Sequence, residues 1–161
     1  MQVAGKPAKD SRTVTTQIIF PVDANHNETM FGGKLMEIMD KTAAIAALRH
    51  ARMQVVTAST DSLDFLAPIQ VGEAIEAEAF VTWTHRTSME VFVSVMAENV
   101  QTGERKRTVT GFFTFVAMQD GKPSAVPPVI PESELEKHLF QTAGARYELR
   151  QKRKQDRQID L

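Results

Sequence analysis

The sequence predicts an α+β domain: a five-stranded antiparallel sheet wrapped around one long central helix, with an additional C-terminal helix. Three observations predict it. Leu35, Ile38, Met39, Thr42, Ile45 and Ala46 recur at helical spacing, and Ala43 to Leu48 is apolar on nearly all sides, so this helix should be buried. Four later segments between Val55 and Met118 are rich in β-formers, most alternate with period two, and their connections are short, the pattern of antiparallel strands in a curved sheet. Ser133-Glu-Leu-Glu136 then matches a capping box that opens a late helix.

Taken in order, residues 1–11 read as a flexible lead. Arg12 to Phe20 has strand composition, and Pro21 ends it. A polar loop, Asp23 to Glu28, runs through Thr29, Met30 and Phe31 into Gly32-Gly33, which opens the central helix; that helix should reach about Arg52. Val55 to Leu66 is the next strand and stops at Pro68. Val71-Gly72 makes a turn. From Glu73 to His85, the residues Ile75, Ala77, Ala79, Val81 and Trp83 share one face, and from Met89 to Ala97 the residues Met89, Val91, Val93, Val95 and Ala97 do the same. Thr102-Gly103 turns into Lys106 to Met118, with Val109, Phe113 and Phe115 on one side and Phe112 and Val116 on the other. Asp120 to Pro123 closes the sheet and Pro127-Pro128 is a rigid connector. The last helix should run from Ser133 to about Leu149, with Leu135, Leu139, Ala143 and Tyr147 on a weakly apolar side. One sheet on one helix leaves an edge and an outer face uncovered, which a homodimer joining two sheets would resolve. The domain plan is a lead at 1–11, the sheet-and-helix unit at 12–128, and a helix with a basic tail at 129–161.

Composition excludes several classes. The 161 residues argue for one domain with a real core. No cysteine is present, so disulfides, thiolate catalysis and cysteine zinc sites are excluded, and a reducing cytoplasm is the expected location. No apolar run approaches the roughly 18–20 residues of a membrane helix, and no leader with an apolar segment is expected at the start. A net charge of −1 gives the chain no polyanion-binding character, so no nucleic acid is expected. Residues 146–161 alone carry a net +3. They read as a solvated helix end or frayed tail, with a phosphate-bearing ligand or RNA as the alternative. His26 and His85 lack partners at ligand spacing, so no metal is expected, and His50 and His138 read as surface residues. There is no G-x-S-x-G elbow, P-loop or dinucleotide fingerprint.

The stretch from Asp23 to Leu48 holds the candidate chemistry. Asp40 is a carboxylate in the middle of an apolar helix, Asn25 lies in the loop before it, and Gly32-Gly33 start the helix. Each also has a plainer reading. Asp40 borders Glu37 and Lys41, themselves a surface i,i+4 pair, and could be solvated. Asn25 could be a turn residue, and the glycines could only ease packing.

Three segments, DANHNETMFGGKLMEIMD, VVTASTDSLDFLAPIQVGE and HRTSMEVFVSVMAENVQTGERKRTVTGFFTFVAMQDGKP, stand in this order across residues 12–128. In this the chain resembles the hotdog-fold acyl-CoA thioesterases, in the branch that includes the cytosolic long-chain acyl-CoA hydrolases. The resemblance implies a hotdog dimer assembled further into a hexamer, a trimer of dimers, with the active site at the dimer interface. It assigns the loop asparagine to Asn25 and the helix acid to Asp40, from opposite subunits, with Thr57 and the pair Gly32 and Gly33 beside them. The implied activity is hydrolysis of fatty acyl-CoA to a free fatty acid and coenzyme A, with no cofactor beyond the coenzyme A of the substrate and with no membrane insertion.

These residue types suit that reaction. A carboxylate partly shielded from water is the stronger base. Backbone N–H groups near Gly33 at a helix start are free of intrahelical partners, carry the positive dipole end and can receive an oxyanion. Asn25 can hold water or carbonyl, and Thr57 can orient the same water. Asp40 could serve as general base or form a transient anhydride. For the phosphates of coenzyme A the candidates are Arg86, Thr87 and Ser88 between two strands, and Arg105, Lys106 and Arg107 after a turn, with Arg146 and Arg150 as weaker ones. Charged residues at exposed strand ends are the alternative. Met36, Met39 and Phe65 are expected to line the acyl chain, and Asp64 to close a strand end. Two other functions stay open: a hotdog dehydratase of hydroxyacyl thioesters, with His26 in its loop, and a non-catalytic acyl-CoA or nucleotide sensor.

Overall fold

The computed structural model describes residues 3–158. Its elements are β1 (Lys6–Pro7), a 3-10 turn (Ala8–Ser11), β2 (Thr13–Ile18), a 3-10 turn (Pro21–Asp23), α1 (Gly32–Ala51), β3 (Gln54–Phe65), β4 (Ala74–His85), β5 (Ser88–Glu98), β6 (Arg105–Gln119), β7 (Lys122–Pro123), β8 (Val129–Ile130) and α2 (Glu134–Asp156). The five long strands form one antiparallel sheet in the order β2-β4-β5-β6-β3, to which β7 adds beside β6. β1 and β8 pair in parallel as a small separate sheet. This is the hotdog arrangement.

α1 lies on the concave face because its buried stripe is narrow. Leu35, Met39, Ala43, Ala46, Ala47 and Ala51 face the sheet, and four alanines let the backbone nest closely. The sheet answers with Ile75, Ala77, Ala79 and Val81 of β4, alternate residues from Met89 to Ala97 of β5, and Val109, Phe113, Phe115 and Ala117 of β6. Burying each of the larger side chains stabilises the fold by about 1.5–3 kcal/mol. α1 stops at Arg52, whose φ of 56° is left-handed and whose N–H bonds to the Leu48 carbonyl.

Trp83 does not share the face of Ile75 to Val81 as the alternation implied. Val81 pairs with Val91 but Trp83 pairs with Glu90, so Thr82 is an extra residue, a bulge that turns Trp83 to the outer face. There its ring stacks on His85 at 5.6 Å and lies 5.4 Å from Tyr147 of α2.

α2 begins where its capping box predicts: the Ser133 hydroxyl accepts from the Glu136 N–H at 3.1 Å, and the Glu136 carboxylate accepts from the Ser133 N–H at 3.0 Å. It runs well past Leu149, to Asp156, and Leu135 is exposed rather than part of a buried stripe. The reason is ionic. Arg146, Arg150 and Arg153 lie on one face and pair with two buried carboxylates of the sheet, Glu90 and Asp61. Removing one partner from such a buried set costs about 3–5 kcal/mol. The basic stretch is thus a docking face up to Arg153 rather than a solvated tail.

The lead is also built in from Lys6 onward. Ala8 and Ser11 are buried, and the Ser11 hydroxyl donates to the Ala8 carbonyl at 2.6 Å and accepts from the Val81 N–H at 2.9 Å. Residues 1, 2 and 159–161 of the expected lead and tail lie outside the described residues. His50 is buried, not on the surface. Its Nε2 lies 2.7 Å from the Pro127 carbonyl oxygen, its Nδ1 has no partner among the described residues, and burial pushes its pKa down.

Candidate active site

Asp40 is half-buried on α1, beside the residues that face the sheet. Its Oδ1 accepts a hydrogen bond of 2.9 Å from the Thr57 hydroxyl of β3. The strand presents Thr57 at a bulge: the pairing of β3 with β6 shifts between Thr57 and Ser59, and bulges re-aim side chains. Glu37 and Lys41 make their surface pair, so Lys41 is not the partner of Asp40. β3 is the last strand of the sheet, and Val56 and Phe65 on it, with Leu66 just beyond, are half exposed or more. A long edge strand with exposed apolar side chains is a surface another chain can pair with.

Asn25 is both turn residue and candidate. Its Oδ1 accepts from the Asn27 N–H at 2.9 Å and from the Thr29 hydroxyl at 3.2 Å. No bond from its amide NH2 group is formed among the described residues, and none joins it to Asp40 within the chain. The loop is held by these bonds, and the Asn25 amide N–H groups have no acceptor among the described residues.

α1 opens with bonds from the Lys34 and Leu35 N–H groups to the Phe31 carbonyl. The N–H groups of Gly32 and Gly33 precede these and find no acceptor among the described residues. A Cβ on Gly33 would meet Phe31 Cε1 at 2.8 Å, so glycine makes room for that ring. Neither glycine needs a left-handed φ. Beside the helix start, Met30, Leu35, Phe65, Leu66 and Ile69 line an apolar cavity of about 230 Å3. Of the residues expected along an acyl chain, Phe65 is here and Met36 is exposed on α1, but Met39 is fully buried against the sheet and cannot line it.

Arg86, Thr87 and Ser88 form the β4–β5 hairpin and line a second cavity of about 200 Å3. Ser59 of β3 and Tyr147, Arg150 and Lys154 of α2 complete it. Arg86 and Lys154 form no ion pair among the described residues. Arg105, Lys106 and Arg107 are elsewhere. β5 meets β6 with Ser88 opposite Val116 at one end and Glu98 opposite Arg105 at the other, a strand length of about 33 Å. Arg105 is paired with Glu76 at 3.0 Å and Lys106 with Glu73 at 3.5 Å. One chain therefore does not bring the two basic groups to one phosphate. Asp64 is exposed, and the buried acid of its motif is Asp61.

Sequence reasoning missed Ser59, Tyr147 and Lys154. Tyr147, Arg150 and Lys154 stand at i, i+3 and i+7, which marks one helix face, but nothing local says which strand that face meets.

The thioesterase superfamily pattern matches residues 27–104. The chain is 48% identical over 151 residues to an uncharacterized acyl-CoA thioester hydrolase of Bacillus subtilis, covering 93% of this chain and 88% of that protein. A solved apo-hexameric acyl-CoA thioesterase superposes with a TM-score of 0.92 at 49% identity, over 94% of this chain and 97% of that one. The Staphylococcus aureus acyl-CoA hydrolase in complex with butyryl coenzyme A, coenzyme A and coenzyme A disulfide superposes at 0.89 with 43% identity, over 94% and 93%. Three further structures of that enzyme, in which an asparagine, an aspartate or a threonine is replaced by alanine, superpose at 0.92, 0.91 and 0.89. Those three residues follow one another at the same sequence intervals as Asn25, Asp40 and Thr57.

Proposed function

This chain belongs to the acyl-CoA thioester hydrolases of the thioesterase superfamily, and from that premise we propose that it hydrolyses fatty acyl-CoA at a site shared between two copies of the chain. The observation that carries the reading is Asp40 held by Thr57 of the edge strand β3, whose outer side pairs with nothing among the described residues. A second copy docked on that edge brings its Asn25 loop to the Asp40 of the first. The equal intervals in the Staphylococcus aureus enzyme support the same three residues.

In this mechanism Thr57 occupies Oδ1 of Asp40 and leaves Oδ2 to take a proton from water. The water oxygen bonds to the thioester carbon, and the carbonyl oxygen becomes an oxyanion bound by the N–H of Gly33, with that of Gly32 alongside. Asn25 donates its free amide to the water or the carbonyl. The carbon–sulfur bond then breaks, the coenzyme A thiolate takes the proton back from Asp40, and a fatty acid leaves. The acyl chain lies along the apolar surface of Phe65 and Met36. Arg86, Thr87 and Ser88 with Arg150 and Lys154 grip the phosphates. No step uses a metal or an added cofactor. The dimers assemble into a hexamer; a solved relative is hexameric.

Release of free thiol from palmitoyl-CoA and from acetyl-CoA tests the activity. Hydrolysis of at least one is expected. Tight acyl-CoA binding with no thiol released at any chain length would leave a sensor instead.

A further inference from the structure

Glu90 lies outside both cavities, yet it is the most fully enclosed carboxylate among the described residues, with a side chain 0% exposed. It sits on the outer face of β5, opposite Trp83 across the bulge. Its Oε1 accepts from the Thr82 hydroxyl at 2.8 Å and from Arg146 Nη2 at 2.8 Å. Its Oε2 accepts from Arg150 Nη1 at 2.7 Å and from Arg146 Nε at 3.1 Å. Arg146 is used up as an anchor: it also donates to the Leu139 carbonyl and the Thr142 hydroxyl, and lies 4.2 Å over the Phe112 ring. Arg150 differs, because the side chain that Glu90 holds also forms a wall of the cavity lined by Arg86, Thr87 and Ser88.

α2 has few apolar anchors: Phe140 packs against the core, and the Tyr147 ring lies 5.4 Å from Trp83 and 4.7 Å from His85. Its buried apolar residues are only Leu139 and Ala143. The pairs that Arg146, Arg150 and Arg153 make with carboxylates add to these contacts in setting which face α2 turns to the sheet. Arg153 pairs with Asp61, and Arg150 lies 3.9 Å from the same acid. Three guanidinium groups against two carboxylates leave one positive charge over beside a cavity that already holds Arg86 and Lys154.

We infer that Glu90 is a positioning residue for phosphate recognition: it fixes Arg150, and through it the α2 wall, opposite the Arg86–Ser88 hairpin. The inference rests on the reading that this cavity receives the phosphates of coenzyme A. Glu90 touches no substrate.

Glu90→Gln tests it, because the amide keeps the shape but gives up the charge that holds Arg150. kcat and KM are measured on palmitoyl-CoA and on palmitoyl-pantetheine, which carries the same thioester and no phosphate, with Arg86→Ala in parallel. The expected result for E90Q is a KM for palmitoyl-CoA raised about tenfold, the loss of roughly one charge-assisted hydrogen bond, with kcat within about twofold and palmitoyl-pantetheine unaffected. R86A is expected to raise the palmitoyl-CoA KM as well. An unchanged KM in R86A removes the phosphate cavity and this inference with it. A raised KM in R86A with a normal one in E90Q overturns the inference alone. Equal impairment of E90Q on both substrates makes Glu90 merely structural and also overturns it. Should E90Q fail to fold, the apolar exchange Glu90→Leu with Arg146→Leu releases Arg150 in a packed background. The same selective rise in KM is expected there, and a wild-type KM would sink the idea.

Discussion

Thr57 and Asp40 join the edge strand of the sheet to the middle of the central helix through a single hydrogen bond of 2.9 Å between Thr57 Oγ1 and Asp40 Oδ1. The bond fixes the carboxylate at the boundary between core and open edge. One oxygen is taken and the other accepts no hydrogen bond among the described residues.

Asp40→Asn and Asn25→Ala are each expected to lower kcat by about a hundredfold or more, the scale of a lost general base or of a lost oriented donor. The assembly should elute unchanged. Mixed dimers, one subunit D40N and the other N25A, should regain one of their two sites. Absence of any regained activity in purified mixed dimers speaks against a shared site.

Thr57→Val removes the hydroxyl and keeps the volume. With about 1 kcal/mol of orientation lost, kcat/KM should fall about fivefold, while Thr57→Ser stays near the wild type. Equal rates for T57V and wild type would show that the hydroxyl does not orient the acid.

Gly111 is buried in β6, and a Cβ there would lie 2.5 Å from Leu63 Cδ1 and 3.5 Å from Leu63 Cα. Gly111→Ala should destabilise the fold by about 1 kcal/mol or less, since the half-buried Leu63 side chain can turn aside, read as a shifted urea midpoint at constant slope. Adding Leu63→Ala should cancel part of the loss, since the clash is with that side chain. Full additivity of the two changes would refute the contact.

His50 gives stability a pH dependence. Burial lowers its pKa from 6.5, against the Pro127 carbonyl, with Lys6 lowering it further and Asp10 opposing. The unfolded chain therefore takes the proton first. Stability is complete above about pH 6.5 and falls as the pH drops below it toward the folded value. The melting temperature should decline as the pH falls below about 6.5, and His50→Gln, which does not titrate, should flatten that decline. An identical slope in H50Q would assign the decline to other groups.

Much of this was legible in the chain. The alternation from Met89 to Ala97, the helix opened by Gly32-Gly33 and the box at Ser133 all reappear within a residue or two, because each depends on neighbours a few positions away. The misreadings share a cause. Trp83 changed faces through one bulge, His50 went inside because Pro127 supplied an acceptor, and Arg150 became buried because Glu90 lies sixty positions before it.

The sequence alone determined the order of elements, the buried stripe of α1 and the candidate residues for thioester chemistry, since periodicity and side-chain type are local properties. Only the tertiary structure decided that the two basic clusters stand at opposite ends of β5, that α2 is anchored by Glu90 and Asp61, and that Thr57 holds Asp40. Those outcomes depend on register and on which distant charges meet out of water, where an unpaired charge is too costly to leave alone.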